Sequence, residues 1–568
     1  MEYFKTEFSF ILSELTSLIP EEGGLALLLI IVTILMIYAG SSIAFSLFGT
    51  AALFAAVSLV SGGIYGNVFP PFAPEIEAIF LSPVLIAVPL LLFTALMIER
   101  AFVVENLIEK FINHWKQKSE AMLFTVSLID ILISILAATI CLLLAPLGAL
   151  RLPLLLKAKN HVLLNKESIQ TFFQTGPMRQ ASFMSLPVMI ILVAGQLTKM
   201  SLEINNLSVG KATSSKDLLS TLTATDLIIA ALVPGILLVG LYGLFQLALL
   251  FKNPNHYAYK KAETKQSVNP SSTKELFIAL LPAALYILVL ISAVLFIKLS
   301  ITEITSLAAI GAIFLASQKL APQKNNIYLN SVISFLGLAT VSQFFPLNIT
   351  SFKLTPWNGA GLAIAIFFIS YLAYGLYHAI KELYLVHPKS ESNNKHIVEQ
   401  SFLEEILREA YEHSVKLITL LIAASFYLIV FKALGGDNLV KAGLESFAEL
   451  NGFVLVLSLF TIMLTAKFFS PYIALLVAMP ILMPHMFTLT NIQATNFNFL
   501  WLGIIIVISL QIIIYSFLVP EKEKAQDANL TLQEQIHQTK IPFIAFHVLI
   551  LALICLFPGM VNWLSTVN

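Results

Sequence analysis

Long apolar runs follow one another along the chain. They lie near 25–47, 49–66, 78–98, 122–148, 170–197, 226–251, 275–297, 303–318, 328–348, 359–380, 416–434, 450–466, 470–491, 499–519 and 541–563. A helix that crosses a bilayer needs about 20 mostly apolar residues. In lipid every backbone N–H and C=O must be satisfied within the segment or its barrel, so such runs fold as helices. The pattern predicts an all-α polytopic membrane protein. Composition agrees: 58% of residues are hydrophobic and 12% charged, against about 45–50% and about 25% in soluble domains. Lys+Arg and Asp+Glu balance at 33 each, so no basic excess points to nucleic acid. The two cysteines, Cys141 and Cys555, sit far apart in apolar runs. Neither a metal site nor a structural disulfide is expected from them.

Basic loops face the cytoplasm. The clearest are 252–274, with Lys252, Lys260, Lys261, Lys265 and Lys274, and 151–166. The acidic segment 1–24 suits an outside N-terminus and lacks the basic start of a signal peptide. Between 381 and 415 the chain turns polar. Its stretch SFLEEILREAYEHSVKLI reads as an amphipathic cytoplasmic helix, with Phe402, Ile406 and Tyr411 roughly on one face. No Walker A, HExxH or GxSxG pattern occurs, which argues against ATP-driven pumping and against an enzyme.

Charge inside a bilayer is expensive, at least about 2.5–3.5 kcal/mol per residue. Asp130, within LFTVSLIDILISILAATICLLLAP, is therefore the foremost intramembrane acid. It reads either as a proton or cation carrier or as an acid held by hydrogen bonds near the interface. Prolines inside apolar runs carry a second signal. FFSPYIALLVAMPILMPHM, residues 468–486, holds Pro471, Pro480 and Pro484; ASFMSLPVMI holds Ser185 and Pro187. Irregular backbone at membrane depth survives where it is buried in protein or lines a wet cavity. Paired interruptions in two halves of a chain point to a transporter's binding site, because broken helices free N–H and C=O groups. Any one proline can equally be a plain kink in a bundle helix.

Several segments, in order, resemble the large membrane subunit of TRAP-type transporters, the DctM-like proteins of the ion transporter superfamily. They are SSIAFSLFGTAALFAAV (41–57), VPLLLFTALMIER (88–100), DLIIAALVPGILLVGLYGLFQLALLFKNPN (226–255), EAYEHSVKLITLLIAASFYLIVFKALGG (409–436), FFSPYIALLVAMPILMP (468–484) and IPFIAFHVLILALICLFPGMVNWL (541–564). The resemblance implies two inverted repeats with discontinuous helices and re-entrant hairpins. It also implies a multi-pass location in the bacterial inner membrane and sodium and substrate sites at the family's broken segments. Carried over by position, those sites fall on Thr139, Gly148, Ser185, Thr305, Ser470, Pro471 and Ser516; Pro187, from its interrupted run, and Ser509, a neutral hydroxyl that can bond within a helix bundle, join them as candidates. Hydroxyls remain at Thr139, Ser185 and Ser516, while Ser306 and Ser470 stand where the family has acids. The family also works with a small four-helix membrane subunit and a periplasmic solute-binding protein.

The organisation expected is an acidic segment 1–24, a first transporter half 25–318, an inserted helix pair with a polar loop 319–400, and a cytoplasmic helix with the second half 401–568. The function expected is secondary transport of a small anionic, carboxylate-like solute. A sodium or proton gradient would drive it, with no other cofactor and membrane lipid as surroundings. The alternative is a non-transporting scaffold or sensor that keeps the fold, favoured by the charged stretch EKEKAQDANLTLQEQ at 521–535.

Overall fold

The computed structural model describes residues 23–60, 76–77, 83–100, 193, 226–227, 229–231, 233–238, 241, 244, 281–282, 285–286, 289–290, 300–320, 356–385, 401–446, 453–469, 471–489, 496–517 and 531–561. Among them no strand occurs. The helices are α1 (Gly24–Tyr38), α2 (Ile43–Val60), α3 (Pro83–Arg100), α4 (Ile301–Leu320), α5 (Pro356–Leu385), α6 (Phe402–Ala433), α7 (Gly436–Glu445) and α8 (Phe453–Phe468). Then come α9 (Pro471–Ile473), a π-helical segment (Ala474–Ala478), α10 (Met479–Leu489), α11 (Asn496–Phe517) and α12 (Thr531–Leu556). Among the described residues, three segments are long and apolar enough to cross a membrane: Ile301–Gln318, Ala363–Leu385 and Phe402–Ala433.

The chain divides into two compact units. The first takes the described residues within Met1–Val88, Ala137–Tyr257 and Ser414–Asn568, the second those within Pro89–Leu136 and Ala258–His413.

In the first unit α1 and α2 form a helical hairpin. The run expected to continue through 47 breaks earlier, at Ala39–Ser42. Gly40 takes φ 89°, a conformation glycine adopts at little cost. Its N–H donates to Ile37 O (3.0 Å) and the Ser41 N–H to Met36 O (3.3 Å), the paired bonds of a Schellman ending. Three hydroxyls join the hairpin to α6. Thr33 and Thr50 Oγ1 lie 2.9 Å apart, and Tyr427 is hydrogen-bonded to Thr33. Thr50 also donates to Ser46 O at 2.6 Å. All three side chains are buried. Between membrane helices such bonds couple by about 0.6 kcal/mol on average and at most about 1.7. A double-mutant cycle on Thr33→Val and Tyr427→Phe, read by unfolding in detergent, is expected to return a coupling in that range. Strict additivity would show that the two hydroxyls do not hold the helices together.

Further along the first unit, α8 packs on α9, the π segment, α10 and α11, and α12 packs on α11. Residues Leu502–Gln511 of α11 are buried at every position, so this helix is covered on all sides. The Trp501 indole N–H donates to Ile554 O of α12 at 3.1 Å.

In the second unit α5 packs on α4. Ser300 and Glu303 cap α4: the Ser300 N–H and hydroxyl both donate to Glu303 Oε2 at 2.7 Å. α6 opens on a reciprocal capping box, Ser401 N–H to Glu404 Oε2 (3.2 Å) and Glu404 N–H to Ser401 Oγ (3.3 Å). The amphipathic stretch 401–418 and the apolar run 416–434, read separately from the sequence, form one element of 32 residues. No glycine or proline interrupts its sequence, so nothing ends it before Gly435 at φ 77°. Its buried face starts with Phe402, Ile406 and Ala410, while Tyr411 is exposed; the expected third member of that face was one residue out.

Candidate functional site

The stretch 468–486 folds as the sequence chemistry requires. Pro471 is the first residue of α9, where a missing N–H costs nothing because that donor has no intrahelical partner anyway. Pro480 and Pro484 fall later, where their effect differs. A proline nitrogen donates nothing and its ring crowds the carbonyl one turn before it. Immediately before Pro480 the helix widens into the π segment Ala474–Ala478, and the Met479 N–H donates to Ala474 O, a step of five residues. Widening carries the ladder across the position where Pro480 brings no hydrogen. Pro484 lies inside α10, so the Pro480 carbonyl loses its helical donor as well. π turns of this kind recur at functional sites.

The surroundings of this broken helix are buried. Ala474, Leu475, Leu476, Met479 and Met483 are all core residues. α8 turns Val454, Ser458, Ile462 and Ala466 inward at four-residue spacing, one stripe of the helix. Ser458 Oγ is fully buried and meets no hydrogen-bond partner among the described residues. α11, against which both α8 and α9 pack, brings Ser509 and Gln511, also buried. Buried hydroxyls and one amide thus share this part of the first unit with the two helix prolines. Among the described residues the buried polar side chains are hydroxyls, Gln511 and His547, and no group of three or more His, Cys, Asp or Glu is placed to hold a metal. The chemistry available is that of neutral oxygen donors, which suit a cation or polar solute shedding its water.

At the C-terminal part of the same stretch His485 Nε2 lies 3.8 Å from Asp437 Oδ1 of α7, an ion pair when the imidazole is protonated. α7 packs on both α1 and α10. Gly23, at φ 88°, lets Leu439 approach: a Cβ there would stand 2.9 Å from Leu439 Cβ.

The residues picked out from the sequence distribute as follows. Pro471 and Ser509 sit on the packed pair α9 and α11. Ser516 lies in the last turn of α11. Thr305 belongs to the second unit, is buried, and donates to Thr302 O at 3.1 Å. Ser306 beside it donates to the same carbonyl at 2.7 Å, and Glu303 is engaged in capping α4. Asp130, Thr139, Gly148, Ser185, Pro187 and Ser470 lie outside the described residues, as do the loops 151–166 and 252–274. The sequence reading passed over Ser458, and over Thr33, Thr50 and Tyr427. Each is an isolated hydroxyl in an apolar run, and only the helix pairing shows which of them meet.

No protein-family profile matches the chain, and no curated protein matches it.

Proposed function

We propose that the chain is the large membrane subunit of a secondary active transporter similar to the TRAP type. In this reading it has two inverted halves with discontinuous helices, lies in a bacterial inner membrane, and moves a small anionic organic solute on a sodium or proton gradient. A small membrane subunit and a periplasmic solute-binding protein would work with it. The single observation that carries the reading is the helix Pro471–Leu489, which holds Pro480 and Pro484 and widens into a buried π turn packed on α8, the helix of Ser458, in a unit whose α11 is enclosed. Keeping two prolines and an unpaired hydroxyl inside a core lowers stability. Carbonyls released from the ladder take part in ion and solute binding in transporters. Pro471, Ser509 and Ser516 are the described residues of the first unit assigned to this site; Thr139, Gly148, Ser185, Thr305 and Ser470 are assigned from the resemblance, Pro187 from the interrupted run it sits in, and Asp130, as proton carrier, from its charge within an apolar run.

Unfolding of the purified protein in detergent tests the reading. Sodium, potassium and choline salts are compared at two pH values, with and without a panel of small carboxylates. A ligand at about 100 times its Kd stabilises by roughly 2.7 kcal/mol if it binds only the folded state. The expected result is a shift specific to sodium or to pH that one carboxylate enlarges. The same unfolding curve under every condition would remove the transport reading.

A further inference from the structure

α5 carries more exposed apolar surface than its packing accounts for. Its 30 residues extend about 45 Å at 1.5 Å per residue, enough for a hydrocarbon core of about 30 Å with both interfaces. Only 17% of Ala363–Leu385 is buried. The buried positions, Ala365, Gly375, Ala379 and Leu383, form one stripe along the helix, mostly of small residues, as suits the close approach of α4. The exposed residues occupy the rest of the circumference. At about 100° per residue, the exposed Ile366, Phe367, Tyr374 and Tyr377 fall opposite that stripe. Ile369 and Ile380 fall to one side of it, Ile364 and Tyr371 to the other, and these too are exposed.

The polar groups are graded along the helix. From Ala363 to Ile380 there is no Asp, Glu, Lys or Arg. Ser370, exposed midway, donates its hydroxyl to Ile366 O at 2.7 Å, so it asks nothing of its surroundings. Charge begins at Lys381 and Glu382, and the tyrosines gather at that end. The His378 ring lies 4.4 Å from that of Tyr374 and 5.6 Å from that of Tyr377. Tyr374, Tyr377, Lys381 and Tyr384 share the face away from α4 and are all exposed.

A partner helix, or α5 of a second copy, would cover one further stripe. Apolar exposure on three sides, with the one exposed serine satisfied within the helix and an aromatic band before the first cation, fits a fluid apolar surrounding that ends in a polar interface. We propose that α5 is a lipid-boundary helix, covered by acyl chains on every side but that of α4. Lys381 and Tyr384 stand at the phosphate headgroups of one leaflet and Tyr377 and Tyr374 lead from there into the acyl chains, the lysine reaching its ammonium out along the helix to the phosphate. The inference rests on the chain lying in a membrane and not on transport, so a failed ligand test leaves it standing.

Site-directed spin labels test it. In the full-length protein with Cys141→Ser and Cys555→Ser, single cysteines are placed in turn at Ile364, Ile366, Phe367, Ile369, Ser370, Tyr374, Tyr377, Lys381 and Tyr384. The protein is reconstituted in bilayers of phosphatidylcholine with phosphatidylglycerol. Accessibility to oxygen, which concentrates in acyl chains, is compared with accessibility to a water-soluble nickel chelate. The expected result is mobile labels at every position, with the oxygen-to-nickel ratio rising from Tyr384 and Lys381 through Tyr377 and Tyr374 to Phe367 and Ile366. It should be high at Ile364 and Ile369 alike. A stripe immobilised and closed to both reagents would overturn the proposal and assign that face to another chain, a second copy if the stripe opens on dilution with lipid. High nickel access along the whole helix would overturn it in favour of water.

Discussion

Gly436→Ala is expected to destabilise the protein by about 1–3 kcal/mol, the usual cost of overfilling a packed core. A Cβ at this position would overlap the Cζ and Cε atoms of the Phe431 ring. That ring is fully buried, so it cannot swing into solvent to make room. The two glycines between α6 and α7 serve different ends. Gly435, at φ 77° with its N–H donating to Lys432 O at 3.0 Å, supplies the left-handed turn that stops α6. Gly436 supplies the space in which Phe431 closes over the start of α7. Denaturant unfolding in detergent measures the loss, and Gly443→Ala provides the opposite control. Gly443 lies on the same helix with open space around its missing Cβ, so the alanine should gain up to about 1 kcal/mol of helix propensity. Combining Gly436→Ala with Phe431→Leu should recover part of the loss, because the smaller side chain vacates the contested volume. Wild-type stability for Gly436→Ala would show that Phe431 has another place to go.

The helices were legible because apolar runs of this length leave the backbone no other way to satisfy itself. Their ends were less so, and the reasons are local. In IVTILMIYAGSSIAFSLFG the stop lies at Gly40, which Ser41 and Ser42 follow, and not at Gly49: Gly40 takes the left-handed turn while Gly49 sits inside α2. The polar opening of α6 was separated from its apolar remainder because charge density changes near 415, but backbone hydrogen bonding is indifferent to that change and the helix continues. At the candidate site the prolines predict a broken helix, whereas the backbone runs helical without a gap from Pro471 to Leu489 and absorbs them in a π segment. How they are accommodated depends on packing: a π turn in place of an unpaired bend, and Ser458 and α11 as its neighbours. The same limit hid the Thr33–Thr50–Tyr427 group, in which Tyr427 lies far along the chain from the hairpin of the other two.

Pro484→Ala should separate stability from function in opposite directions. Alanine restores an N–H inside α10, one turn beyond the Pro480 carbonyl, and removes the ring that crowds it. Proline costs about 3 kcal/mol relative to alanine in a helix interior. Here neighbouring elements already fit the broken path, so the gain is smaller and the unfolding midpoint should match or exceed wild type. Solute uptake into proteoliposomes should fall. A hydrogen bond or ion contact from a carbonyl to a charged partner is worth about 1.5–3 kcal/mol. Recapturing the Pro480 carbonyl into the ladder removes that contact, and kcat/KM drops roughly ten- to a hundredfold. Pro558→Ala, in the short 3-10 turn Pro558–Met560 after α12, controls for proline removal as such and should leave uptake alone. A stable Pro484→Ala protein with undiminished uptake would mean that the carbonyls of this helix do not touch the solute. The π turn would then be only the way a bundle helix absorbs two prolines. A variant both less stable and less active would mean instead that the kink shapes the packing of α8 and α11, and that the oxygen donors lie elsewhere in the chain.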